Sequence, residues 1–454
     1  MTVDLVVKGG RVVTSKSTFK GAIAVDHGKI VGIMSNATAP SADRVIDAEG
    51  LFVLPGIVDA HVHFREPGFE YKEDFATGSA AAVFGGVTSV CDMPNVNPAT
   101  QDAASFRLKL QRGLKKSLVD FGIFGVVLPS NLEKISELKQ AGVVGYKIFM
   151  GETVGNLPSP DDWDLYVSFK EIAETGLRVG VHAENRSMTT HLASELKSKA
   201  RNDPLALLEA RPSISEAEAI QRAVLLASPF GTKLHIHHTS SKEGLEVIRR
   251  SRAMGASLTA ETCPHYLLID GVKYLKEKGS LVKMYPPVRG IEHSSALWRG
   301  LREGLIDMIA SDHSPHSLEE KSGDNVWEVI AGWPGVETSL PLMLNEANNR
   351  RLTLNEIVLY MSEGPARVWG FYPKKGALNL KSDGDLTIVD MKKEHTIESE
   401  GLHSKNRFTP FEGWKIKGMP VYTIVRGNVL LERGEFCSGT HEAQLIVPGR
   451  SVCS

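Results

Sequence analysis

The chain has 454 residues, 42% of them hydrophobic and 23% charged, with a formal net charge of −2. That balance is ordinary for a folded enzyme and makes no broad electrostatic case for nucleic acid or an anionic membrane as partner. The length exceeds one ordinary core, so a large domain with a smaller one is expected, and no apolar run approaches the roughly 20 residues of a membrane span.

From residue 2 to about 54 the pattern is short and strand-like. The first run, Met1–Lys8, holds an early acid and too short an apolar stretch for a signal peptide, so a cytoplasmic setting is the expectation. Asp4–Val7 leads to a turn at Gly9-Gly10 and then Arg11–Val13. Ala22–Val25 and Lys29–Ile33 flank Asp26-His27-Gly28 and predict a hairpin, and Val45–Ala48 completes a small β unit. The same pattern returns in Leu386–Asp390 and Val421–Leu431. Two β-rich ends predict one small β-sandwich domain built from residues 1–54 and 375–454, since chain termini often lie close together.

Between about 55 and 374, strand and helix alternate. The predicted strands are Ile57–His63, Val87–Met93, Val119–Gly125, Val143–Phe149, Arg178–His182, Lys233–His238, Ser257–Glu261 and Ile306–Asp312. The predicted helices include Tyr71–Phe84, Ala104–Leu114, Ser215–Ala227, Lys242–Met254 and Ser294–Glu303. Eight such strands predict an α/β fold of the (β/α)8, TIM-barrel type. No Gly-x-Gly-x-x-Gly follows any strand, which argues against an open dinucleotide-binding sheet.

In such a barrel the chemistry sits at the C-terminal ends of the strands. Strand one ends in His61 and His63, strand four carries Lys147, strand five ends at His182, strand six at His238 and strand eight at Asp312. Five strands thus present metal-type or reactive residues at one end. In the run His235-Ile236-His237-His238, alternation groups His238 with Leu234 and Ile236. His238 is taken as the barrel-facing ligand, with His237 as the alternative. Lys147 stands in an apolar strand, where a lysine needs a partner. Either it reaches solvent or pairs with an acid, or CO2 carboxylates it to a carbamate whose oxygens bridge two divalent ions about 3.5–4 Å apart. Cys91, Cys263, Cys437 and Cys453 form no Cys-x-x-Cys pair, so neither a thiolate site nor a disulfide framework is expected.

The run His61-Val62-His63-Phe64-Arg65-Glu66-Pro67-Gly68 joins several others: Lys72-Glu73-Asp74-Phe75, Gly85-Gly86-Val87-Thr88, Met93-Pro94-Asn95 and Ala310–His316. Together they resemble the cyclic amidohydrolases. The resemblance covers the whole chain and is strongest to dihydroorotases, with allantoinases and hydantoinases or dihydropyrimidinases close. It implies that His61, His63, Lys147 and Asp312 hold one zinc and Lys147, His182 and His238 the other. A bridging hydroxide is then the expected nucleophile and Asp312 the group that relays its proton to the leaving nitrogen.

Arg65 and Asn95 match the pair that binds the substrate carboxylate in dihydroorotases. An ion pair of Arg65 with Glu66 or Glu73 is the structural alternative. His316 fits a further substrate contact, and Thr153 resembles a lid residue on the loop Gly151–Leu157. Tyr285 departs from the pattern, standing where bacterial dihydroorotases usually carry Asn. The implied reaction is reversible interconversion of dihydroorotate and N-carbamoyl-L-aspartate in pyrimidine biosynthesis, or the same ring opening on a related cyclic ureide. A homologous scaffold without activity would typically have lost metal ligands, and here all six positions are filled. A homo-oligomer, dimer or tetramer, is common among lookalikes.

Overall fold

The computed structural model describes residues 2–153, 155–437 and 442–449. Val154 of the 151–157 loop, the ends of the expected 375–454 segment, and Cys453 therefore lie outside the described residues. Cys91 and Cys263 are buried, and they and Cys437 are free thiols.

Eight parallel strands form a closed ring. In order they are Ile57–Val62, Val87–Asp92, a split third strand (Asp120–Ile123 and Gly125–Val126), Tyr146–Phe149, Arg178–His182, Lys233–Ile236, Leu258–Thr262 and Met308–Ile309. The third strand is interrupted at Phe124, whose N–H bonds to Asp92 O, while Gly125 N–H bonds to Gly145 O on the other side. Closure comes from a parallel bridge between Val62 and His313, with His63 N–H donating to His313 O at 2.7 Å. The connecting helices bury Leu, Ile, Val and Ala in one apolar core with the strands of this ring, as Leu245 and Ile248 of the helix Lys242–Ala253 do. The barrel is the TIM type expected from the alternation.

Both chain ends build the β-rich part. Val3–Lys8, Ala22–Asp26, Lys29–Met34 and Ala42–Asp47 make a four-stranded sheet. A seven-stranded sheet pairs Leu386–Val389 antiparallel with Phe52–Pro55, so a C-terminal strand lies beside an N-terminal one. Leu5, Ile23 and Ile46 of the first sheet share one apolar core with Val53, Ile388 and Ile424 of the second. Face-to-face packing of two inner apolar faces is what makes this a sandwich.

One local expectation is corrected. The first barrel helix starts at Phe75 rather than Tyr71, because Asp74 is extended and its carboxylate caps Thr77 N–H at 3.0 Å. Residues 397–414, inside the C-terminal segment, also contact the barrel. Lys405 Nζ meets Asp74 at 2.6 Å, Asn406 Nδ2 donates to Lys72 O at 2.6 Å, and Trp414 Nε1 donates to Tyr274 Oη at 2.7 Å.

A buried ion network ties the two parts together. Lys375 Nζ lies 2.6, 2.7 and 2.9 Å from Asp120, Asp385 and Asp383, and Arg426 adds a 3.1 Å pair to Asp120. Asp120 opens the third barrel strand, while Asp385 and Arg426 flank strands of the sandwich. Burial alone would lower the Lys375 pKa, but the three carboxylates raise it, so the ammonium is held charged. Removing one partner from such a cluster strands the others without compensation. Lys375→Met should therefore lower stability by about 3–5 kcal/mol, read from urea unfolding. A loss below about 1 kcal/mol would remove this network from the supports of the fold.

Candidate metal centre

The ends of the first and last barrel strands are bound to each other. Asp59 Oδ1 accepts from His61 N–H at 3.2 Å and from Ser311 N–H at 3.1 Å. Asp92, anchored by Lys109 at 2.7 Å, accepts from Phe64 N–H at 2.7 Å and turns the chain just past His63. Arg65, His238 and Asp312 then adopt left-handed backbone, with φ of 63°, 36° and 48°. Non-glycine residues in that region cost energy and cluster at functional sites.

This backbone explains a correction. Alternation along Lys233–Ile236 sends Leu234 and Ile236 outward to the helices, and His235 and His237 inward. His238 follows the strand and reaches the cavity because its left-handed backbone breaks the alternation. Choosing His238 over His237 agrees with the cavity wall, but the face argument that led to it does not hold. His237 instead stacks on Trp369 and lies over Gly180, where an added Cβ would come within 1.9 Å of its Nε2.

His61, His63, Lys147, His182, His238 and Asp312 line one cavity of about 310 Å³. His61 Nε2 and His63 Nε2 each lie 3.3 Å from Asp312 Oδ1, and the rings of His182 and His238 are 4.6 Å apart. The opposite nitrogens are held from behind. His61 Nδ1 donates to Glu261, His63 Nδ1 to Asn95 Oδ1 at 2.8 Å, and His182 Nε2 to Glu184 Oε2 at 2.8 Å. A histidine that donates from one nitrogen presents a lone pair at the other, which is what a metal requires. Burial pushes the pKa of all four histidines down, so they are neutral.

Lys147 is fully buried and, among the described residues, its Nζ has no hydrogen-bond partner and no acid in an ion pair. Burial lowers its pKa to about 8, against the opposing charges of Glu261 and Asp312. Burial raises Asp312 to about 7, against Lys147 and Arg65. The unpartnered buried His61 Nε2 and Lys147 Nζ, beside a carboxylate and neutral imidazoles, fit a divalent cation.

Other expected contacts divide. Thr153 and Tyr285 line the cavity, and Asn95 does so while linking His63 to Thr153 through its Nδ2 at 3.4 Å. The described residues Glu152, Thr153, Gly155 and Asn156 of the loop form part of the same wall. Arg65 and His316 are buried behind it. The Arg65 guanidinium donates to Ser314 Oγ at 2.6 Å, Pro315 O at 3.2 Å and His316 Nε2 at 3.1 Å. Among the described residues neither Glu66 nor Glu73 pairs with it, their ion pairs going to Lys116 and Arg112 and to His313.

Sequence reasoning missed Glu261, Glu184 and Arg211. Glu261 ends a predicted strand at the catalytic side and Glu184 follows His182 by two, so the criterion applied to the histidines would have reached both. Arg211 lies in a helical connection with no motif to mark it. Asp120, Asp383 and Asp385 also approach one another closely, but Lys375 sits among them, and Arg426 and Lys29 pair with Asp120 and Asp383.

Residues 52–430 match the model of the amidohydrolase family. An L-hydantoinase of Paenarthrobacter aurescens is 37% identical over 437 residues, 95% of each chain. An allantoinase of Rubrobacter xylanophilus is 39% identical over 446 residues, 96% of each chain, and a dihydroorotase of Methanosarcina mazei 39% over 435, 94% of each. The structure of an L-hydantoinase (dihydropyrimidinase) from Arthrobacter aurescens superposes with a TM-score of 0.95 at 35% identity, covering 98% of this chain and 100% of that one.

Glu261 accepts from His61, His235, His237 and the His238 N–H, so its loss should release several rings at once. Glu261→Ala should weaken divalent-metal binding about 10–100-fold. Competition with a colorimetric chelator measures this, and unchanged affinity in a folded variant would refute the role.

Proposed function

The chain belongs to the amidohydrolase family, and from that membership we propose that it opens the ring of a neutral cyclic ureide of the hydantoin and dihydropyrimidine class. That it is a cyclic amidohydrolase follows from its kinship with hydantoinases, allantoinases and dihydroorotases. One observation carries the choice of substrate: among the described residues, the cations of the cavity wall other than Lys147, the expected metal ligand, are already committed. Lys72 pairs with Glu320 at 2.8 Å, and Lys283 Nζ donates to Val326 O and Val329 O. Arg65 stands behind Ser314 rather than on the wall. Much of what remains is apolar or aromatic: Phe69, Phe149, Met284, Tyr285, Trp327 and Ile330. Such a wall suits an uncharged ring and an apolar substituent.

In this reading His61, His63, Lys147 and Asp312 hold one zinc, and Lys147, His182 and His238 a second, with Lys147 carboxylated by CO2. Support for carboxylation is the burial of Lys147, whose lowered pKa makes the neutral, nucleophilic amine accessible near neutral pH. When bound, the ions supply a water acidic enough to ionise near pH 7 and a Lewis acid for the target carbonyl. Asp312 takes the proton of the attacking water. As the new C–O bond forms and the ring C–N bond breaks, the same carboxyl returns that proton to the departing nitrogen. Asn95 keeps His63 in its working tautomer, while Thr153, Tyr285 and Phe149 bound the ring and the loop limits water.

The same reading divides the chain at 54/55 and 374/375, supported by the strand pairing of Phe52–Pro55 with Leu386–Val389. It places the enzyme in the cytoplasm as a homo-oligomer; among the described residues no helix is long and apolar enough to cross a membrane. A second substrate, dihydroorotate, is favoured by one observation. Among the described residues Arg65 Nη1 is buried without a hydrogen-bond partner, a donor that a substrate carboxylate would satisfy.

Steady-state assays decide between them. The metal-loaded enzyme should turn over a 5-substituted hydantoin or dihydrouracil with a kcat/KM at least about tenfold above that for dihydroorotate. The reverse order, lost on Arg65→Ala, would establish the carboxylate reading instead. Asp312→Ala should lower kcat by about 10²–10⁴-fold, while elemental analysis still finds bound metal. An unchanged kcat would remove Asp312 from the proton relay.

A further inference from the structure

Arg211 follows the short helix Ala206–Ala210 in the connection between the fifth and sixth barrel strands, and it is 3% exposed. Its Nη1 donates to Glu184 Oε2 at 2.5 Å, and its Nη2 to Glu152 Oε2 at 2.9 Å. Its guanidinium carbon lies 3.2 Å from the centroid of the Tyr285 ring. Its backbone carbonyl accepts from Arg289 Nη1 at 2.8 Å, and Arg289 is itself held by Ser240 Oγ at 3.1 Å. One planar group, fixed from behind, therefore joins three parts of the site: the carboxylate behind His182, the loop after Lys147, and the aromatic wall.

The two carboxylates sit in different surroundings. Glu184 is fully buried and also accepts from His182, so its bond to Arg211 is unscreened and holds a rigid chain, His182–Glu184–Arg211. The Glu152 side chain is 63% exposed, so its pair with the same guanidinium is screened and exchangeable. Lysine has no planar fork with which to serve both acids and the Tyr285 face at once.

We propose that Arg211 is a positioning residue with two separable duties. Through Glu184 it fixes the ring of His182 with Nδ1 turned to the cavity, and through Glu152 it fastens the stretch of cavity wall that carries Glu152 and Thr153. The proposal rests on His182 being a metal ligand, as read under Proposed function. The first duty acts on metal retention and kcat, the second on substrate capture and KM.

The test measures metal release from the loaded enzyme into excess chelator, alongside kcat and KM on the best ring substrate. His182→Ala tests the underlying reading: its metal content should fall from two ions to one, and a content equal to that of wild type would refute the ligand assignment alone. Arg211→Gln should release one ion at least about tenfold faster and raise KM. Glu152→Gln should raise KM about threefold or more with release unchanged. Arg211→Lys, which keeps the charge, should reproduce the faster release, and it carries the test if Arg211→Gln does not fold. Wild-type release rates in both Arg211 variants would overturn the proposal, and so would faster release in Glu152→Gln, because the duties would then not be separable.

Discussion

The carboxylate of Glu261 is the constraint on which the site depends. It accepts from His61 Nδ1, His237 Nδ1, His235 Nε2 and the N–H of His238, joining the first, sixth and seventh strands inside the barrel. Burial raises its pKa, and the Lys147 charge and the His238 N–H oppose that rise. An acid at this depth is tolerable only when its oxygens are saturated with donors. Meeting that condition dictates the tautomer of His61 and so leaves Nε2 for the cavity. Asn95 and Glu184 repeat the logic for His63 and His182. The rings are therefore oriented through the nitrogens turned away from the centre, by Glu261 and Glu184 behind them and by Asn95 on the cavity wall.

Placing those rings also required the backbone to leave regular structure. His238 and Asp312 stand past the ends of their strands, in left-handed conformations that aim their side chains at the cavity. Arg65 does the same on the turn after His63, but there the side chain is sent behind the wall. The cost of such conformations is held by surrounding bonds: Asp59 clamps strand ends one and eight, and Asp92 with Lys109 secures the turn. The sandwich contributes at longer range, through Lys375 and through residues 397–414, which brace the segment carrying Lys72.

Much was legible in the amino-acid order. Strand–helix alternation located all eight barrel strands to within a few residues, since apolar runs and their spacing report burial directly. The six candidate ligands were found because chemistry collects at strand C-termini, and the structure gathers them on one cavity wall. The reading of His238 shows the limit of such rules: period-two alternation ends where the strand ends, and a single φ of 36° reverses the side-chain direction.

What the sequence determined by itself is the fold class and the set of metal-type residues, because periodicity and strand-end position are local properties of the chain; the class of reaction came from the resemblance of its motifs to the cyclic amidohydrolases. The tertiary structure alone decided the rest. Arg65 was expected at the substrate and lies behind Ser314, and Arg211 was unmarked and joins His182's support to the loop. Both outcomes depend on which donors and acceptors meet across separations from 27 to 249 residues, and no local pattern encodes such meetings. A buried charged group goes where its hydrogen bonds can be satisfied, and only the assembled barrel defines that place.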